Sequence, residues 1–132
     1  MRRRLFLAVF AASALLAPLP GRAEEGGEKK SVQPYLPLPP VAVSVFRQGG
    51  RRGVLTVELG VDVRDPRLRT RIELYQPLLK SAYVSALQPY ALGLAPGEPP
   101  NADYISLTLQ RETDRVLGRN GAKLLLGSIL MN

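Results

Sequence analysis

In the eleven residues VLTVELGVDVR, from 54 to 64, every second residue from Leu55 on is a branched apolar one. Leu55, Val57, Leu59, Val61 and Val63 share one side, and Thr56, Glu58, Gly60, Asp62 and Arg64 share the other. A period of two belongs to a strand, and this alternation describes one with a buried face and a wet face. Such a strand needs antiparallel neighbours and a cover for its apolar side. The rest of the chain must supply both.

One neighbour precedes it. In VAVSVF, Val41, Val43 and Val45 alternate with Ala42, Ser44 and Phe46, and RQGGRRG (47 to 53) makes a glycine-rich hairpin turn carrying three arginines. Ahead of this lie Pro34, Pro37, Pro39 and Pro40, four prolines in seven positions. Fixed φ favours an extended, polyproline-type path there. The expectation is a stiff approach that delivers Val41 already extended, with residues 24–40 forming a flexible and proline-rich leader. A docking motif for a proline-recognising partner is the functional alternative.

The cover comes next. Asp65-Pro66 pairs a helix cap with a proline at the first helical position. From there Leu68, Ile72, Tyr75, Leu79, Ala82, Ala86 and Tyr90 recur at steps of three or four, an apolar helical stripe. Pro77 interrupts it, so the helix should kink or divide into a short turn and a longer helix beginning near Gln76. PYALGLAPGEPPN, from 89 to 101, reads as a loop. Asn101 caps a second helix, with Ile105, Leu109, Glu112 and Val116 in step and Gly118 placed to end it. Finally AKLLLGSILMN is apolar on both faces, as a central strand buried on both sides would be. The expected fold is α+β, in the order β-β-α-α-β. A small three-stranded, mostly antiparallel sheet packs against two helices, in one domain spanning 41–132.

The N-terminus reads as an export signal. Arg2, Arg3 and Arg4 precede an apolar run from Leu5 to Leu19, and Gly21 and Ala23 stand at the −3 and −1 cleavage positions. The run is broken by Pro18 and is shorter than the roughly 20 residues of a spanning helix. Cleavage near Ala23 would place the rest of the chain in the periplasm, by the general secretory route or, since RRLFL fits the twin-arginine pattern, by that one. The alternative is an uncleaved anchor in the inner membrane. Cleaved, the chain has no membrane helix, although peripheral contact with the bilayer stays open.

Removing 23 of 132 residues leaves 109, and fourteen basic residues face eleven acidic ones, a net charge of +3 against +7 for the whole chain. That is too small a surplus for nucleic acid, and aromatic residues to stack on bases are few. The chain has no cysteine or histidine, which removes the usual zinc ligands and the commonest general base. Glu58 and Asp62 lie about 13 Å apart along one strand face, beyond the roughly 5–9.5 Å of paired glycosidase carboxylates. Ser44, Ser81, Ser85, Ser106 and Ser128 lack a histidine partner, and Lys80 beside Ser81 is a helix neighbour that faces elsewhere. No catalytic, cofactor-binding or metal-binding residue is assigned, no cofactor is expected, and an enzyme is not expected.

Two features bear on partners. RDPRLRTR, from 64 to 71, sets Arg64, Arg67, Arg69 and Arg71 around a strand-to-helix corner. They form either a solvated face or a docking patch for acidic protein or anionic headgroups. Tyr75, Tyr83 and Tyr90 recur at near-heptad steps, and such residues suit the rim of a core or an oligomer contact.

The succession of YLPLPPVAVSV, VLTVELGVDV, a helix with a proline followed by LLKSAYVSAL, a second helix ISLTLQRETDRVLG and a hydrophobic last strand resembles the flagellar basal-body-associated FliL family. The likeness covers about residues 35 to 132, with the proline-started helix beginning at Pro77 and the last strand at Ala122 to Met131. It lies in element order and apolar pattern. It implies a stomatin-like periplasmic domain that self-associates and sits beside the stator units of the flagellar motor. Members of that family usually keep an N-terminal membrane helix, where this sequence carries a removable one. A periplasmic binding or envelope-associated module unrelated to motility is the alternative.

Overall fold

The computed structural model describes residues 33–132. The export signal, its cleavage near Ala23, the alternative anchor and the leader up to residue 32 lie outside the described residues. Three strands, β1 (Tyr35–Phe46), β2 (Arg52–Val63) and β3 (Ala122–Met131), form one antiparallel sheet in the order β1-β2-β3. Helices α1 (Pro66–Leu74), α2 (Gln76–Leu92) and α3 (Ala102–Leu117) fall between β2 and β3 in the chain. The fold is α+β in the expected element order, with Pro77 dividing the first helical stretch just where α2 begins.

Local chemistry accounts for the helix ends. Asp65 Oδ1 accepts a hydrogen bond from the Arg67 N–H at 2.9 Å, and Pro66 needs no donor in the first turn. That N–H, helped by the Arg119 guanidinium 3.4 Å away, holds the Asp65 carboxyl below the ordinary carboxylate range. Asn101 Oδ1 accepts from Tyr104 N–H at 3.0 Å and caps α3. Gly118 ends α3 in the left-handed region at φ 77°, which a residue without Cβ adopts freely.

The apolar faces of the strands meet the helices on one side of the sheet. Val41, Val43 and Val45 of β1, Leu55 to Val63 at alternate positions of β2, and Leu124 of β3 are all buried. Each such side chain contributes roughly 1.5–3 kcal/mol over its exposed state. α2 lies over β1, and α3 lies over β3 and against α2. Tyr83, only 1% exposed, is the largest of the fully buried side chains. Thr113 Oγ1 donates to the Leu109 carbonyl at 2.7 Å, so its one proton is committed, and the Tyr83 hydroxyl must donate to Thr113 at 2.6 Å. Burial pushes the Tyr83 pKa up to about 12.

Four expectations are corrected. First, β1 begins at Tyr35 rather than Val41, so Pro37, Pro39 and Pro40 belong to the strand and not to a leader. Val63 N–H donates to the Pro34 carbonyl at 2.9 Å, and alternation then points Pro37 away from β2. Pro39 and Pro40 occupy a bulge between Leu38 and Val41, opposite Glu58. On an edge strand these missing N–H groups cost the ladder nothing.

Second, α2 runs through Pro89 to Leu92, where a loop was expected. The donor lost at Pro89 would have bonded Ser85, and both residues are exposed, so water reaches the freed carbonyl. Third, the stripe of α2 is Leu79, Tyr83, Leu87 and Ala91, with Ala82, Ala86 and Tyr90 half-buried at its margin. Glu112 and Val116 of α3 are likewise half-buried, while Thr108, Thr113 and Leu117 are in the core. Fourth, β3 is an edge strand and not the central one, because β2 takes both partners. Its outward residues Leu125 and Leu130 are apolar yet exposed.

Candidate functional site

The two edges of the sheet are treated differently by the rest of the chain. A free edge presents unpaired N–H and C=O groups that another strand can join. On β1, Pro37 and the bulged Pro39 and Pro40 remove donors from that edge. Further along, Gln88 of α2 reaches the outward backbone of Ser44. Its Oε1 accepts the Ser44 N–H at 3.2 Å, and its Nε2 donates to the Ser44 carbonyl at 3.0 Å. One side-chain amide thus replaces a residue of a missing strand.

The same device guards the start of β3. Gln110 of α3 accepts the Leu124 N–H at 2.8 Å through Oε1 and donates to the Ala122 carbonyl at 2.9 Å through Nε2. A second bond from Nε2 to Asp114 Oδ1, at 3.0 Å, orients the amide. Beyond Leu124 the guard stops. A bulge at Gly127 and Ser128, again opposite Glu58, bends the strand, and Gly127 lets the two backbones approach closely. From Leu126 to Met131 no side chain among the described residues bonds the outer edge of β3.

The sheet face turned away from the helices adjoins this gap. Leu125, Leu130 and Val54 are exposed on it, with Ala42 and Thr56 in register with Leu130 across the strands. At one end of the face Arg52 stands over the Phe46 ring at 5.8 Å. At the other end, Asp62 is flanked by Tyr35 and Lys123.

The four arginines expected to form one patch do not act together. Arg71 donates to the Leu117 carbonyl at 2.9 Å, satisfying the C-terminal turn of α3. Arg69 donates to the Gln33 carbonyl at 2.8 Å and lies 3.8 Å from Glu73. Both serve the fold. Arg64 is 81% exposed, with its Nε 4.0 Å from Asp62. No acidic group among the described residues lies within ion-pair distance of Arg67. Of the tyrosines, Tyr83 is core, Tyr75 is half-buried, and Tyr90 stacks on Tyr104 at 4.5 Å while its hydroxyl accepts the Asn101 N–H.

A cavity of about 490 Å³ opens at the hairpin end, lined by Arg47, Gln48, Arg51, Gly97 and Met131. Among the described residues its lining is basic and holds no carboxylate. Among the described residues no cluster of acidic side chains could hold a metal ion, and no helix is long and apolar enough to cross a membrane.

Sequence reasoning missed Gln88, Gln110 and the open stretch of β3. Neither glutamine carries a local signal, since its partner lies 44 or 14 residues away in sequence. The arrangement defines a small α+β domain whose sheet is guarded on one edge and open on part of the other. Compared with known proteins, the sequence matches no family model and no curated protein.

Proposed function

We propose that this chain is an exported, non-enzymatic scaffold or regulator of the FliL type. In this reading it acts in the periplasm by self-association and by protein contacts beside the stator units of the flagellar motor. The observation that carries the interaction role is the edge of β3, unguarded among the described residues, beside an apolar sheet face, in a molecule that guards much of its other edge with prolines and a glutamine. The FliL assignment draws on the β-β-α-α-β order with a proline-started α2, which the resemblance implied.

A deletion strain tests the flagellar part. Loss of swarming or weakened swimming, restored by the gene in trans, is the expected result, together with co-purification of a stator subunit. Unchanged motility and no stator in the purified material would overturn it. A second reading, an envelope module unconnected with motility, draws on the basic cavity at Arg47 and Arg51. Normal swimming combined with saturable uptake of a small anion would favour it.

A further inference from the structure

We propose that the open end of β3, Ile129 to Met131, joins two copies of this chain edge to edge, antiparallel, into one six-stranded sheet. The proposal deepens the scaffold reading and rests on it: it names the surface and the partner, a second copy.

Backbone geometry identifies the free groups. Asn132 exchanges both hydrogen bonds with Val54, at 2.9 and 3.0 Å, so its backbone points into the sheet. Alternation then turns Leu130 inward and Ile129 and Met131 outward. Ahead of them the bulge holds Gly127 and Ser128 against Glu58, which leaves Leu126 as the next outward residue. Among the described residues Leu126, Ile129 and Met131 therefore offer unpaired donors and acceptors, and beyond the bulge Ile129 and Met131 lie along one line.

Self-pairing fits this line. With a twofold axis at Leu130, Ile129 of one copy faces Met131 of the other, and each such pair exchanges two backbone hydrogen bonds. Leu130, 50% exposed on the open face, meets its own counterpart on the axis, as an isologous contact requires. The uncharged row of Ala42, Thr56 and Leu130 then continues into the second molecule. No ionisable side chain lies between Lys123 and Asn132, so a strand meeting itself brings no like charges together. β1 is also uncharged, but its prolines and the Gln88 clamp obstruct a head-to-tail join of β3 onto β1. The route left is β3 with β3.

The test is the mass in solution of the protein expressed from its full coding length, followed by light scattering over a concentration series. The wild type is expected at twice the monomer mass. Ile129→Pro deletes a donor that no bond among the described residues uses, and Leu130→Lys sets two ammonium groups against each other on the axis. Each should raise the dissociation constant at least tenfold while the circular dichroism spectrum stays native. Mixing Leu130→Lys with Leu130→Glu should restore the dimer, because the twofold then pairs opposite charges. A wild type at monomer mass at every concentration overturns the proposal. So does a dimer that persists in both folded variants, and that outcome leaves the scaffold reading standing on some other surface. Failure of the scaffold reading shows separately, in the deletion strain.

Discussion

Gln88 holds both outward backbone groups of Ser44, its carbonyl oxygen 3.2 Å from the N–H and its amide nitrogen 3.0 Å from the carbonyl. A helix side chain thereby completes a strand. Gln88→Ala strips both partners at once, at part-buried groups that water reaches poorly. The expected cost is about 1–3 kcal/mol in urea unfolding. Hydrogen exchange gives the sharper reading: the Ser44 amide should lose protection while that of Val43, which faces β2, keeps it.

Tyr83 offers a pH signature. In the unfolded chain its hydroxyl titrates at the ordinary 10.0, and in the fold at about 12. Below pH 10 both states hold the proton and this group adds no pH dependence. Above it the unfolded chain releases the proton first, so stability falls as pH rises, until the folded group titrates too at about 12. Tyr83→Phe removes that slope, leaves Thr113 its bond to Leu109, and costs about 1 kcal/mol at neutral pH. Urea midpoints of wild type and variant should converge as the solution becomes alkaline.

The arginines of the strand-to-helix corner should separate in thermal melts. Arg71→Ala uncovers the Leu117 carbonyl at the end of α3 and is expected to cost about 1 kcal/mol. Arg67→Ala removes a side chain with no ion pair among the described residues and should stay within about 0.5 kcal/mol of wild type. Equal melting shifts for the two would contradict the division between fold-serving and free arginines.

Gly118→Ala forces a side chain into the left-handed region at φ 77°. The expected loss is about 1–2 kcal/mol, seen as a lower melting temperature, with nothing nearby for the new Cβ to strike. Backbone strain alone is then being measured.

What the sequence disclosed was whatever acts over a few residues. The caps at Asp65 and Asn101, the break at Pro77 and the stop at Gly118 each depend on a side chain and the backbone within a turn of it. The strand prolines were misread because a missing N–H matters only where a ladder partner stands, and which strand forms the edge is decided by the whole sheet. β3 was misread for the same reason in reverse. Its two apolar faces describe a doubly covered strand, yet one of those faces, with Leu125 and Leu130, has no cover among the described residues. The helical phase slipped at Tyr83 because period alone cannot choose between Ala82 and Tyr83 when both neighbours are apolar. The glutamines and the open edge of the candidate site leave no such local mark, and of the four arginines that do, Arg69 and Arg71 brace the fold.

The prolines of β1 also set a limit on growth. Because one margin of the sheet resists further addition, any copy that docks on the opposite margin exposes only another resistant margin to the solvent. On the proposed pairing, edge-to-edge association would stop at a finite pair, with three rings and one amide standing against the fibrous polymers to which small exposed sheets are prone.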